Sequence, residues 1–262
     1  MITEISLERL SEILESNKSK GSVLLTRLVS NARCFLPHKL CSLYEIQRKN
    51  KTVGLICSYS GNLTAHFWEK PDLNELTSFL NFEGSAARFL EADKRIIGRI
   101  LKKYGGEAAF GSAFVLKSAP KTPQSDCEIK EERDAHTFFD VLKSTNSSYK
   151  YTAFESYYCD YFYRKTPPAR LFTASFGGKK VGTAAVLHFF EENAIISDVA
   201  VHPDFRRLRL GWRLIFEVCR TLQSEGYTPC LLCTSPAAAK LYKKIGFKIK
   251  GRFGLLLLKE DA

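Results

Sequence analysis

Apolar positions recur along this chain in two rhythms, and the changes between them mark out the elements. Leu7, Leu10, Ile13 and Leu14 share one helical stripe behind Ser6, whose side chain suits an N-cap, so Ser6 to Glu15 is expected to be a helix. The pattern then shortens in LYEIQRKNKTVGLICSYSGNLTAHFW, which predicts an antiparallel meander with turns at Lys49 to Lys51 and at Ser60 to Asn62. Helices are expected near Asp72 to Asn81 and Ser85 to Tyr104, followed by a strand at Ala108 to Leu116. Two prolines and several small polar residues in KSAPKTPQSD interrupt the apolar pattern. This interruption predicts a domain over 1–117, a linker over 118–126 and a second domain over 127–262.

In the second half the pattern predicts a strand at Cys127 to Ile129, a helix at Glu131 to Lys143 and an aromatic-rich helix at Ala153 to Arg164. Strands are expected at Arg170 to Ser175, Gly182 to Phe189 and Ala194 to Val201. A basic loop, a helix at Leu210 to Glu225, a strand at Cys230 to Cys233, a helix at Pro236 to Ile245 and two closing apolar runs follow. A meander succeeded by alternating strands and helices is an α+β or mixed α/β pattern, neither a bundle nor an all-β sandwich.

Charge and cysteine content narrow the class. The chain has 262 residues and a formal net charge of +11. The surplus is nearly even: 18 basic and 12 acidic side chains over 1–125 (+6), and 21 against 16 over 126–262 (+5). This spread argues for a local phosphate site over a long nucleic-acid-binding face. No apolar run approaches the roughly 18 residues of a membrane span, and the first residues lack a signal pattern, so the expected setting is cytoplasmic, without a membrane partner. Eight cysteines scattered among aliphatic residues read as reduced thiols. Cys230 and Cys233 have C-x-x-C spacing but no second ligand pair, so they read as part of a buried strand and no metal is expected.

The densest chemistry lies in ISDVAVHPDFRRLRLGWRLIF. An apolar strand ends at Val201, Pro203 blocks its continuation, and a helix starts near Leu210. A helix N-terminus presents unpaired N–H groups and partial positive charge, and Arg206, Arg207, Arg209 and Arg213 crowd beside it, so a diphosphate suits the place.

This segment resembles the cofactor loop of the GCN5-related N-acetyltransferases, R/Q-x-x-G-x-G/A. Arg206 and Gly211 stand at its first and last positions, and Arg209 replaces the first glycine. Downstream, SPAAAKLYKKIGF is similar to the family's N-x-x-A-x-x-L-Y-x-x-x-G-F, with Ala238, Leu241, Tyr242, Gly246 and Phe247 in place and Ser235 where asparagine is usual. The resemblance implies a mixed, splayed central sheet flanked by helices, preceded by a second, smaller α+β domain. It also implies acetyl-CoA as co-substrate and direct transfer of the acetyl group to a primary amine of a small molecule, peptide or protein, in a ternary complex.

In that reading, the pyrophosphate lies on Arg206, Arg207, Leu208, Arg209, Leu210, Gly211 and Trp212, and Ser235 lies nearby. Backbone amides around Val199 and Val201 hold the pantetheine arm, and Tyr242 protonates the leaving thiolate. Asp198, Glu191, His188 and His202 are candidates for the base, with Asp198 favoured and a water chain as the alternative. Strand alternation is expected to put Asp198, Ala200 and His202 on one face and Val199 and Val201 on the other. His188 reads as a core residue. The first half carries neither motif. It is read as a degenerate copy of the same fold, with an unrelated substrate-capping domain as the alternative. Two other functions stay open at this point, a CoA-binding sensor without turnover and, less favoured, a nucleic-acid-associated protein. The sequence also leaves room for a homodimer.

Overall fold

The computed structural model describes residues 1–17, 22–83, 87–123, 127–145, 161–165 and 167–258. The chain divides into two compact units, Met1–Ala113 with Lys250–Ala262, and Phe114–Ile249.

Unit 1 runs β1 (Ile2–Glu4), α1 (Leu7–Ser16), α2 (Val23–Phe35), β2 (Cys41–Arg48), β3 (Lys51–Tyr59), β4 (Asn62–Phe67), α3 (Leu73–Glu83), β5 (Phe89–Asp93) and α4 (Lys94–Tyr104), into β6 (Glu107–Val115). The expected meander is present as β2, β3 and β4. Its turns are two-residue hairpins with positive φ at Lys49, Asn50, Ser60 and Gly61, the handedness that matches twisted strands. Ser6 caps α1 by accepting from the Arg9 N–H. Two expectations fail here. Helix α2 lies outside the expected elements, because it is buried on nearly every side and Thr26, Ser30 and Asn31 are buried among its apolar residues, which blurs the stripe. The helix expected from Ser85 contains strand β5, and α4 starts only at Lys94.

Unit 2 runs β7 (Glu128–Glu132), α5 (Ala135–Thr145), β8 (Arg170–Phe176), β9 (Lys179–Phe190), β10 (Asn193–Val201), α6 (Leu210–Ser224), β11 (Thr228–Cys233) and α7 (Pro236–Ile245), into β12 (Lys248–Leu257). Most of the aromatic helix expected at Ala153 to Arg164 lies outside the described residues. The described elements of the second half, β-α-β-β-β-α-β-α-β, follow the order of the first, β-α-α-β-β-β-α-β-α-β, from the second strand onward. Strand neighbours repeat too, β1-β2-β3-β4-β5 in one unit and β7-β8-β9-β10-β11 in the other. Within each unit the fourth and fifth strands are parallel and the other described neighbours antiparallel.

The final strand of each repeat is divided between the units, Glu107–Ala113 and Lys250–Leu257 falling in unit 1 and Phe114–Val115 and Lys248–Ile249 in unit 2. In unit 1, β12 pairs antiparallel with β5, from Phe253↔Asp93 to Leu257↔Phe89, and buries Leu256 beside Leu90 and Ile97. Gly254 makes this possible, since a Cβ there would lie 2.9 Å from the Ile97 side chain. In unit 2, the Leu116 N–H at the end of β6 donates to the Pro229 carbonyl of β11 at 2.9 Å, and Phe114 and Leu116 are fully buried in that unit's core. The second domain expected over 127–262 therefore differs from the observed unit at both ends. The two closing apolar runs form one strand, and its larger part belongs to unit 1.

Candidate active site

The site in unit 2 begins where two parallel strands part. β10 and β11 pair at Asn193↔Thr228, Ala194↔Pro229 and Ile195↔Cys230, and the described pairing ends there. On its other side β10 stays on β9, but with a shift: Ser197 faces Ala185 and Ala200 faces Thr183, so three steps of β10 oppose two of β9. The extra residue is a β-bulge, which bends a strand and increases its twist. Asp198 sits in it with φ +50°, and its carbonyl accepts from the hydroxyl of fully buried Thr183 at 3.0 Å. The bend turns the Ile196–Val201 edge away from β11, leaving it without a strand partner on that side among the described residues. Nothing in the sequence marked Thr183, whose hydroxyl holds this bulge.

The bulge interrupts the two-residue period at Asp198, while Val199 and Ala200 lie on opposite faces as expected. A two-residue period does not run through an inserted residue, so Asp198 does not take its face from Ala200. Val199 packs against the cluster containing Ile196, Leu214 and Tyr242, whereas Ala200 packs against the opposite one, around Phe138 and Leu171.

Beyond Val201, a 3-10 turn at Pro203–Phe205 reverses the chain, and the Arg206 guanidinium Nε donates to the Val201 carbonyl at 3.1 Å. Arg207 and Arg209 then adopt left-handed conformations, φ +67° and +61°, and α6 begins at Leu210 with no side chain capping its first turn. Left-handed residues interleaved with ordinary ones gather successive N–H groups into an anion-binding concavity, here joined to the positive end of a 15-residue helix. Arg209 thus keeps the backbone form that the family's glycine would give, at a conformational cost. Arg209→Gly is expected to raise stability by about 0.5–1 kcal/mol, the relief of left-handed strain less the added freedom of the unfolded chain. A urea midpoint that stays put or falls would refute this.

One arginine-cluster expectation changes. Arg213 turns away along α6 to pair with Glu217 at 2.6 Å, lying 5.5 Å from the Phe216 ring centroid. Arg207 and Arg209 are exposed and make no ion pair among the described residues. Leu208 is exposed, Leu210 is buried, and Gly211 lies 3.6 Å from Val201, measured from an added Cβ. The Trp212 indole N–H donates to the Lys121 carbonyl at 2.9 Å, and the Lys121 N–H donates to Ile245. Part of the expected linker is therefore bound to unit 2.

Ser235 caps α7, accepting from the Ala238 N–H at 3.3 Å, and Gly246 ends the helix at φ +121°, strained for any other residue. Between them Tyr242 is buried, with the Phe114 and Phe247 rings edge-on, each at 5.9 Å. Its hydroxyl has no hydrogen-bond partner among the described residues. Burial above all, and then the Cys233 and Cys219 thiols, push its ionisation well above that of an ordinary phenol. It stays protonated through neutral and mildly alkaline pH, the state an acid catalyst needs.

Among the base candidates, His202 uses Nδ1 to accept from the Asp204 N–H, Glu191 occupies the turn at the far end of β10, and His188 is buried on β9 opposite Ile195. Asp198 is the one placed at the parting of the strands. Cys230 is buried with its thiol toward Asn193, and burial pushes its pKa up to about 12. The Cys233 thiol donates to the Ser235 carbonyl. Both therefore act as packing thiols.

Residues 135–247 match the model of the Acetyltransferase (GNAT) family. An uncharacterized N-acetyltransferase, ycf52, of Pyropia yezoensis is 35% identical over 80 residues, 29% of this chain and 46% of that protein. The match thus spans under half of that relative. Among solved structures, a Drosophila protein superposes with TM-score 0.69 at 16% identity, covering 99% of both chains. A tandem GNAT protein from the clavulanic acid biosynthesis pathway superposes with TM-score 0.60 at 11% identity, covering 100% of this chain and 99% of its own. Those identities speak to fold alone, and the fold they share is the repeated topology described above. The similarity to the GNAT acetyltransferase family thus covers residues 135–247, within the unit that carries the parted strands and the anion-binding loop.

Proposed function

We propose that the protein is an acetyl-CoA-dependent N-acetyltransferase that passes the acetyl group directly to a primary amine in a ternary complex. The observation that carries this reading is the parting of β10 from β11 immediately before a loop of upturned N–H groups at the start of α6. The backbone from Arg206 to Trp212 would hold the pyrophosphate, with Arg207 and Arg209 supplying charge. The free edge of β10, Val199 to Val201, would pair with the amides of the pantetheine arm. One N–H, that of Val199, would donate to the thioester oxygen as it gains charge.

The amine nitrogen attacks the thioester carbon, the C–N bond forms, and the C–S bond breaks. Tyr242 gives its proton to the departing sulfur, and the ammonium proton leaves to Asp198 or to water. Ser235 has a structural share, since its hydroxyl starts the helix that carries Tyr242. The acceptor is a primary amine of a small molecule or of a peptide or protein.

Acetyl-CoA at about 100 times its dissociation constant should stabilise the fold by about 2.7 kcal/mol. Absence of a thermal shift at millimolar acetyl-CoA would sink the reading. With binding established, thiol release in the presence of a panel of primary amines tests turnover; release that no amine accelerates leaves a binding module without transferase activity.

A further inference from the structure

Unit 1 repeats the parting of the strands, but with different chemistry around it. β4 and β5 pair in parallel at Asn62↔Phe89, Leu63↔Leu90 and Thr64↔Glu91, and the described pairing then stops. A cavity of about 470 Å³ opens beyond this point, lined by Leu24, His66, Trp68, Arg95 and Arg99, among others. That volume suits a small molecule, and the ends of parallel strands are where open sheets take ligands.

The cavity has no seat for a diphosphate. The N–H groups of Trp68 and Glu69 both donate to the Val53 carbonyl, at 3.0 and 3.2 Å. The Asp72 carboxylate occupies the start of α3, accepting from the Asn74 and Glu75 N–H groups at 2.8 and 3.1 Å. A negative side chain therefore fills the position that is open in α6. What the cavity has instead is a set of unmatched groups: Nε1 of Trp68, Nη1 of Arg99 and Nε2 of His66 are buried without a hydrogen-bond partner. Buried polar atoms are almost always satisfied, so three beside one cavity point to an occupant. Indole and guanidinium nitrogens only donate, so the occupant must accept.

The charge balance agrees. Glu69 pairs with Lys51, and Asp93 accepts from the Arg95 N–H at the start of α4. Arg95, Arg99 and Lys70 have no ion pair among the described residues. His66 adds no charge, because burial lowers its pKa to about 4.

We infer that this cavity is a second ligand site, which binds a small monocarboxylate with an apolar body, its carboxylate accepting from Trp68 Nε1 and Arg99 Nη1. This site is independent of acetyl-CoA binding in unit 2. Phenylacetate and hexanoate are suitable probes, with phenylacetamide and hexanamide as neutral counterparts. The full chain has two tryptophans, Trp68 and Trp212, so in Trp212→Phe the fluorescence reports on the cavity alone.

A saturable change with at least one acid is expected, with a dissociation constant below about 1 mM, and the matching amide should bind at least about tenfold more weakly. By calorimetry, Arg99→Met should weaken the acid about tenfold or more, and Trp68→Phe, which keeps the ring and removes the donor, should weaken it severalfold. If Arg99→Met does not fold, Trp68→Phe decides alone. No saturable response to either acid at about 10 mM would overturn the proposal, leaving water as the occupant. Equal binding of acid and amide, or full affinity in the folded variants, would overturn it as well.

Discussion

Tyr242→Phe is expected to lower kcat for a good amine acceptor by about 100-fold or more, while the acetyl-CoA dissociation constant stays within about twofold. The split follows from where the hydroxyl sits. It makes no hydrogen bond among the described residues, so removing it breaks no contact, and the phenylalanine ring can keep the edge-on packing against Phe114 and Phe247. Thermal stability should change little. Because burial raises the ionisation of this phenol, the wild-type rate should show no alkaline decline from Tyr242 below about pH 10. An unchanged kcat across pH in the variant would remove Tyr242 from the mechanism. A matching loss of acetyl-CoA affinity would assign it to binding.

The second large effect concerns the last strand. A chain ending at Ile249 is expected to lose the fold of unit 1, although every residue removed lies far along the sequence from most of that unit. Phe253, Leu256 and Leu258 are all buried there. Leucine-to-alanine changes at buried sites cost about 2–5 kcal/mol each, so losing three such side chains and a full edge of strand pairing rivals the whole stability of a domain, about 5–15 kcal/mol. Hydrogen exchange should show protection lost in β5 and α4. The milder Leu256→Ala should lower stability by about 2–5 kcal/mol in urea titration. Retained protection of β5 in the shortened chain would show that β12 is dispensable.

The parts of this structure that were legible in the sequence are those fixed by neighbours along the chain. Ser6 and Ser235 as helix caps, the hairpin turns, and the helices and strands from Arg170 to Ile245 follow from local chemistry. So does the helix start at Leu210, and with it the place of the anion-binding loop. What stayed hidden depends on distant partners. β5 is a strand because β4 and β12 flank it, yet its own residues continue smoothly into the apolar pattern of α4. α2 is buried on nearly every side, which erases the stripe that would reveal it. The bulge at Asp198 depends on Thr183 from the neighbouring strand, a partner that the local alternation does not reveal. The Arg213 side chain was misplaced for a related reason: four arginines close in sequence suggested one cluster, but the helical period directs Arg213 to Glu217 one turn on.

The pairing of Phe253 with Asp93 also sets a timetable for synthesis. At about 5–20 residues per second, β5 waits roughly 10–30 s after it is made before its partner strand exists. Throughout that interval one edge of β5 lacks its final neighbour, and an unpaired edge is a template for other chains. Chaperone demand during translation should therefore concentrate on the first half of the polypeptide and persist until β12 has been made.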